Sequence, residues 1–304
     1  MASMRWYLPV GALVAALCSG GVAPQALTVC MAEDNPPLSY RAEGEMRGLD
    51  IRLAQALAGE LQRELKIVPF ESKFEGESTL SQEVNALLSS DVCDVASGFA
   101  LMTQDLGAPG RATARAPDYP GAKRRPLRPW VPLGTLVPSR GYHAMAMALV
   151  VNDGARESMT LADPGDARIG VVGGTLAGTA VSLYRNGKLR PQLVGLARNL
   201  DVLEQLEARA FDATLVAIHR LDAWHLRHPG SPLRRTSYVH PLRINLGLVA
   251  RSEAQATIAA ADRVIERALG SGELQRWAAQ TGTTWVAPVE PQVATVGLID
   301  LLRE

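Results

Sequence analysis

The 304-residue sequence has no excess of charge of one sign and contains few cysteines, aromatic residues and histidines. Lysine plus arginine and aspartate plus glutamate each number 31, and this zero net charge argues against a general nucleic-acid-binding protein. No segment reaches about 18 consecutive apolar residues, so we expect no membrane span in the mature chain. The hydrophobic fraction of 47 % is typical of a globular protein with one large or two smaller domains.

The start of the chain predicts export. Arg5 precedes a short apolar run that ends at Leu17, and small residues follow up to Ala26. This order is typical of a secretory signal peptide, because the apolar run is too short to cross a bilayer. Cys18 raises the alternative of a lipoprotein, but the leucine before it stands where a lipidation site has a small residue. We therefore expect a cleaved signal peptide over residues 1–26 and a periplasmic protein.

Export determines how the remaining cysteines are interpreted. The mature chain keeps Cys30 and Cys93, and two cysteines in an oxidising compartment most often form a disulfide. Two buried free thiols are the alternative. A catalytic thiol would require a neighbouring histidine or another base, whereas Cys93 begins "CDVASGFAL", which reads as a buried strand.

Two parts of the chain have the same predicted order of strands and helices. Residues 27–100 contain the predicted strands "LTVCM", "KIVPF" and "CDVASGFAL", with helices between them. Residues 167–217 repeat the order with "ARIGVVGG", "PQLVGLA" and "FDATLVA". Two α/β units of matching plan indicate two similar lobes, each with a mostly parallel sheet. The apolar runs at 144–152 and 244–252 are suited to strands that cross between the lobes.

These segments resemble the family 3 periplasmic solute-binding proteins, the amino-acid receptors of ABC importers. The resemblance rests on "DNPPLSYRAEGEMRGLDIRLAQALAGEL", "CDVASG", "RIGVVGGT" and "NLDVLEQLEARAFDATLVA", and it extends over nearly the whole mature chain. It implies a type II periplasmic-binding-protein fold, in which two α/β lobes joined by two hinge strands close around a small molecule without chemistry. The implied domains are the signal peptide (1–26), lobe 1 (27–143, with a basic proline-rich insertion at 105–142), lobe 2 (144–243), and a return to lobe 1 with C-terminal helices (244–304).

The resemblance also implies which residues line a ligand cleft. We expect this lining to consist of Asn35, Leu38, Tyr40, Phe74, Gly98, Phe99, Leu101, Gly174, Thr175 and Ala217. The glycine pair in "GGTLAG" either presents backbone N–H groups to an anion at a helix start or forms an ordinary tight turn.

The cleft departs from the amino-acid receptors at the residues that grip the ligand. Those receptors hold the ligand carboxylate with a hydroxyl residue and an arginine, where this chain has Leu101 and Leu106. They hold the amino group with an acid, where this chain has Ala217. We therefore expect a more apolar cleft and a ligand that is not a standard α-amino acid. An arginine and an acid facing each other across the cleft would contradict this expectation.

The cysteines resemble those of a narrower group, the J-type proteins encoded with methanol and other quinoprotein dehydrogenases. In that group one cysteine ends the first strand and a second precedes Asp-Val in the third, as Cys30 and Cys93 do here. The resemblance implies a disulfide between them. It also implies an alternative function, that of an accessory protein that binds a periplasmic dehydrogenase instead of serving an importer.

Residues 105–142 provide a candidate surface for a protein partner. The segment contains seven prolines, and between 111 and 128 it carries six cationic residues opposed only by Asp118. Arginine and tryptophan are common interface anchors, so an acidic protein surface could dock here. A solvated loop that covers one lobe is the alternative. The residues expected to bind the partner are Arg124, Arg125, Arg128 and Trp130.

No pattern indicates a catalytic group, a metal or a cofactor. His219, His225 and His228 lie close in sequence, but a metal site would need a further ligand, and surface histidines are the expected reading. No pair of acids stands at the cleft positions to carry proton transfer. We expect a monomer that is not an enzyme, whose partners are a small-molecule ligand and either an ABC permease or a dehydrogenase.

Overall fold

The computed structural model describes residues 25–72, 78–152 and 156–302, and its largest element is a nine-stranded sheet. The strands are β1 (Leu27–Ala32), β2 (Asp34–Asn35), β3 (Ser39–Ala42), β4 (Glu45–Arg47), β5 (Leu65–Phe70), β6 (Val95–Ala100), β7 (Thr113–Ala114), β8 (Val131–Pro132), β9 (Leu136–Pro138), β10 (His143–Val151), β11 (Ile169–Val172), β12 (Leu193–Leu196), β13 (Ala213–Ala217) and β14 (Arg234–Arg251). The helices are α1 (Leu49–Glu60), α2 (Leu80–Ser89), α3 (Leu176–Gly187), α4 (Val202–Glu207), α5 (Ile218–Arg227), α6 (Gln255–Gly270), α7 (Glu273–Gln280) and α8 (Leu298–Leu301). The predicted signal peptide falls almost wholly outside the described residues.

Two parallel groups of strands form the two lobes, as the sequence predicts. The order across the sheet is β12-β11-β13-β10-β14-β6-β1-β5, and β9 also pairs with β14. In lobe 1, β1 lies parallel to β5 and β6. In lobe 2, β11 lies parallel to β12 and β13. The predicted two-lobe α/β fold is therefore confirmed.

The two hinge strands connect these groups. β10 and β14 pair with each other in antiparallel fashion, and each also pairs with one lobe, β10 with β13 and β14 with β6. The lobes therefore share a continuous hydrogen-bonded sheet. β14 begins at Arg234, ten residues before the apolar run that predicts it, because its first half pairs with β10 although many of its side chains are exposed.

Local sequence explains where the helices of lobe 1 begin. α1 follows Gly48, whose φ of 123° and close approach to the Leu38 carbonyl leave no room for a side chain. α2 begins with a capping box, in which Gln82 N donates to Thr79 Oγ1 and Thr79 N donates to Gln82 Oε1. The leucines of α1 then face α6 in the core on one side of the sheet.

The predicted disulfide is confirmed. Cys30 in β1 is bonded to Cys93 ahead of β6, and their Cα atoms lie 5.7 Å apart. Both cysteines are buried, in the core that α2 covers. The bond therefore ties together two neighbouring strands whose ends approach the cleft.

A C-terminal strap, defined as residues 283–301, forms a third crossing between the lobes. Thr284 donates from N and Oγ1 to the carboxylate of Asp222 in lobe 2, at 2.8 and 2.7 Å. The Asn245 side chain of β14 then donates to the Val289 carbonyl at 2.7 Å. At its end the strap places Leu301 in the core of lobe 2. The sequence places residues 244–304 in a return to lobe 1, whereas this last helix packs on lobe 2.

Within the described residues, no helix combines the length and the apolar character that a membrane crossing requires.

Candidate functional site

Each lobe carries half of a cleft near the carboxyl ends of its parallel strands, where open α/β sheets bind ligands. The lobe 1 half is a cavity of about 650 Å³, and the lobe 2 half is a cavity of about 210 Å³. Met145 in the hinge strand β10 lines both. The two halves therefore meet at the hinge.

The lobe 1 half has a mostly apolar surface that carries several polar groups and two acids. Its polar lining comes from β2 and β3, the end of β5, the start of α2, and β6 with the segment that follows it. These residues are Asp34, Asn35, Ser39, Ser72, Thr79, Ser81, Ser97, Gln104 and Asp105. Phe70 and Phe99 add two aromatic rings to the same wall. No arginine, lysine or histidine among the described residues lines this half.

The lobe 2 half is apolar apart from one cation. Arg220, in the first turn of α5, is its only charged lining residue within the described ranges. Its guanidinium lies 3.8 Å from the Asp201 carboxylate, and half of its side chain remains exposed. This exposed, loosely paired guanidinium faces the cleft from the side opposite the acids of lobe 1.

The side chains of Thr175 and Arg198 occupy the hydrogen-bonding groups and the space around the glycine turn before α3. Thr175 caps the helix by accepting from Gly178 N at 3.0 Å. The Arg198 guanidinium occupies the space beside Gly174, and its Nε donates to the Gly173 carbonyl at 3.2 Å. Arg198 therefore covers the backbone that the sequence offers as an anion loop.

The predicted ligand-binding residues fall into three groups. Those that line the cavities are Asn35, Gly98 and Phe99 in lobe 1 and Thr175 and Ala217 in lobe 2. Those that line neither half are Leu38, Tyr40, Leu101 and Gly174. Phe74 lies outside the described residues. Leu38 and Leu101 are 1 % and 0 % exposed, because both turn into the core of lobe 1.

Sequence reasoning missed the charged residues of the cleft. Asp34 lies in the two-residue strand β2 and Asp105 in a single turn of 3-10 helix, and the sequence around them is typical of solvated turns. Arg220 follows Ala217 by three positions. The expectation of a cleft without an arginine and an acid on opposite sides is therefore not met. The charged residues are placed on the opposite lobes from those of the receptors that the sequence resembles, because here the acids are on lobe 1 and the arginine is on lobe 2.

A buried carboxyl group supports the floor of the lobe 1 half. Asp50 in α1 accepts hydrogen bonds from Tyr142 Oη at 2.5 Å and from Ser97 Oγ at 3.2 Å. Burial raises its pKa to about 7, although the two hydrogen bonds act in the opposite direction. Gly98, with φ of +69°, brings the cleft backbone so close that a Cβ would lie 2.8 Å from Asp50 Oδ2. The carboxyl group of Asp50 is thus in close contact with the cleft backbone at Gly98, so a change in its position or charge would act on that wall.

Two histidines lie at the base of lobe 2. Burial lowers the pKa of His143 and of His219 to about 4, and charge repulsion from His219 and from Arg220, respectively, acts in the same direction. His143 Nδ1 accepts from Val286 N at 3.3 Å. Both rings are therefore neutral at pH 7. Among the described residues no group of three metal-ligating side chains comes together.

The other two histidines of the predicted cluster make local contacts. His225 Nε2 lies 3.2 Å from the Leu233 carbonyl. The His228 ring contacts the Trp224 ring, with 3.9 Å between centroids. Their partners are thus a backbone carbonyl and an indole.

The basic segment folds onto lobe 1. β7 and β8 pair, and Ala114 and Val131 join the core under α2. Arg128 is buried, forms an ion pair with Asp118 and donates to the Ala116 carbonyl at 3.0 Å. It stabilises the segment from within and is not exposed to a partner.

A basic aromatic surface remains on the outside of this segment. Trp130 is 42 % exposed, and the guanidinium carbons of Arg111 and Arg115 lie 5.3 and 4.7 Å from its ring centroid. Arg124 of the same segment is also exposed, while the side chain of Arg125 is not described. No residue of 106–142 lines either described half of the cleft.

Comparisons with known proteins agree with this architecture. The family model for bacterial extracellular solute-binding proteins, family 3, matches residues 27–91, which cover β1 to the end of α2. No curated protein matches the chain.

Three solved structures illustrate the shared fold. The L-cystine solute receptor of Neisseria gonorrhoeae, in its unliganded open conformation, is similar with a TM-score of 0.61 and 16 % identity, over 86 % of this chain and 95 % of the receptor. An ancestral cationic amino acid solute-binding protein gives 0.58 and 16 %, over 85 % and 96 %. A periplasmic binding protein of Salmonella typhimurium with high arginine specificity gives 0.50 and 15 %, over 86 % and 100 %. At these identities the likeness establishes the fold alone.

The resemblance to the family 3 extracellular solute-binding proteins is therefore confirmed by sequence over residues 27–91, and the solved structures share the two-lobe fold over most of the chain.

Proposed function

We propose that this protein is a periplasmic solute receptor, which captures a small molecule between its two lobes by hinge closure and delivers it to an ABC importer. The observation that carries the proposal is the pair of half-cavities that meet at Met145. Closure about β10 and β14 would bring the halves together around one ligand and exclude water. The protein performs no chemistry in this proposal.

Ligand binding is expected to stabilise the mature protein against heat. A ligand that binds only the folded state adds about 2.7 kcal/mol at a hundred times its dissociation constant, which raises the unfolding midpoint by several degrees. The measurement is thermal unfolding against a panel of amines, organic acids, amino acids and sugars. Small-angle scattering with the best ligand should show a smaller radius of gyration, because the lobes close.

A pair of variants separates cleft binding from binding elsewhere. Ala217→Phe places a ring in the lobe 2 half and is expected to abolish the thermal shift. Ala208→Phe makes the same change on the exposed surface of that lobe and should keep the full shift. If no compound in the panel shifts the midpoint, the receptor proposal fails.

The second candidate function is that of an accessory protein for a periplasmic quinoprotein dehydrogenase. The observation that favours it is Trp130, half exposed between two guanidinium groups on the basic segment. We expect Trp130→Ala to weaken binding to the purified dehydrogenase at least about tenfold, because tryptophans that become buried in an interface are frequent hot spots. Leu298→Ala, at an exposed apolar residue of α8, serves as the control in the same titration. If both variants bind the dehydrogenase with equal affinity, the surface around Trp130 is not its docking site.

A further inference from the structure

We propose that the cleft selects a small organic ammonium ion and holds its charged nitrogen on lobe 1, between Asp34 and Asp105. The inference rests on the receptor function proposed above and adds the chemical class of the ligand. Both carboxylates line the same cavity of about 650 Å³. Among the described residues, no cationic side chain shares that wall with them.

The cavity offers the contacts that a desolvated cation requires. Asp105 Oδ1 accepts from Ser81 Oγ at 2.6 Å, which orients the carboxylate. An ionised carboxylate has about four acceptor sites, so Asp105 keeps capacity for an N–H donor of the ligand. Phe70 and Phe99 add aromatic rings, which attract cations at their faces.

An unused hydroxyl group points to a polar ligand in the same place. The Oγ atom of Ser72 is buried and has no hydrogen-bond partner within the described part of the chain. Ser72 lines the lobe 1 half, and so does Ser39, which is almost fully buried. A buried hydroxyl without a partner carries a free-energy cost, which a ligand with N–H donors would remove.

The start of α2 also faces this cavity, and its partial positive charge would favour an anion. Two of its backbone donors are already engaged, because Gln82 N and Glu83 N donate to Thr79. Glu83 in the first turn and Asp105 beside Ser81 offset the helix dipole. The net charge of the described wall of the lobe 1 half is therefore negative.

Arg220 fixes the direction in which the ligand lies. It is the one charged residue on the described wall of the lobe 2 half, and it would repel an ammonium group placed there. Each half therefore accepts a different end of the ligand, with the cation on lobe 1 and an apolar or anionic end on lobe 2. This orientation is opposite to the grip of the amino-acid receptors that the sequence resembles.

The test is calorimetric titration of the mature protein with five probes. Three are cations, namely ethanolamine, choline and 1,5-diaminopentane, and two are controls, succinate and glucose. We expect at least one cation to bind and both controls to fail. Asp34→Asn and Asp105→Asn should each weaken that binding at least about tenfold, because each removes a charged acceptor. Asp163→Asn, which removes an exposed acid that lines neither half of the cleft, should leave the affinity unchanged.

The outcomes distinguish this inference from the receptor function. Binding of succinate or glucose, without any cation, overturns the inference and leaves the receptor proposal standing. Cation binding that survives in the Asp34→Asn, Asp105→Asn double variant also overturns it. If none of the probes binds and the broader panel is equally silent, both proposals fail. The exposed position of Asp34 makes its single variant a usable test even if the Asp105 variant does not fold.

Discussion

Replacing both Cys30 and Cys93 with alanine is expected to lower the free energy of unfolding by about 4 kcal/mol. The two residues are 63 positions apart, so the disulfide removes a long loop from the unfolded ensemble, and chain-entropy reasoning gives this magnitude. Alanine is preferred to serine because both sites are buried in an apolar core. The measurement is urea unfolding of the mature wild type and of the double variant at equal pH.

Reductant supplies the control. It should lower the stability of the wild type towards that of the double variant and should leave the variant itself unchanged. Alkylation of the unfolded wild type without reductant should add no mass, because neither thiol is free. Two alkylated thiols, or equal urea midpoints for wild type and variant, would show that the bond does not form or does not stabilise.

Replacing Asp50 with asparagine is expected to raise stability at pH 8 by up to the order of 4 kcal/mol, and to change it little at pH 4. The ordinary pKa of this carboxyl is 3.8, and burial raises it to about 7 in the folded protein. The unfolded chain therefore ionises first, so the cost of keeping Asp50 folded grows from pH 3.8 to about 7 and is then constant. Asparagine carries no such cost, and its carbonyl can still accept from Tyr142 Oη.

The test is the difference in the free energy of unfolding between wild type and variant across this pH range. The contribution of His143 and His219 to stability depends on pH in the opposite sense to that of Asp50. Because their pKa values are about 4, stability is lost as pH falls from 6.5 towards 4. Their contribution is common to both proteins and cancels in the difference. Asp163→Asn should show a flat difference, since that side chain is exposed. A flat difference for Asp50→Asn as well would mean that Asp50 is not a buried acid.

The fold follows from the sequence where its signals are local. The alternation of strands and helices predicts both lobes, and the apolar run at 144–152 differs from β10 by one residue at each end. The start of β14 could not be predicted in this way, since Arg234 and its neighbours are polar and exposed. Their place in the sheet comes from pairing with β10, which is a contact distant in sequence.

The site is less predictable, because cleft walls and cores use the same apolar residues. Leu101 packs close to Gly247 of β14, and only that distant glycine makes room for it in the core. Phe99, two residues earlier, lines the cavity instead. Asp34 and Asp105 are recognised as candidate binding residues only because they line the same cavity. In the sequence, neither stands in a pattern that distinguishes it from a solvated acid.

The C-terminal strap reduces the number of independent movements available to the lobes. Two flexible connections alone would permit lobe 2 to bend, twist and slide relative to lobe 1. The strap contacts β10 through Val286 and β14 through Asn245, and it is then anchored at Leu301 in lobe 2. It would therefore resist twisting and sliding, while bending about the hinge strands stays possible. In the receptor proposed above, opening and closing would thereby follow nearly a single path, along which each cycle would bring the same residues of the two lobes face to face.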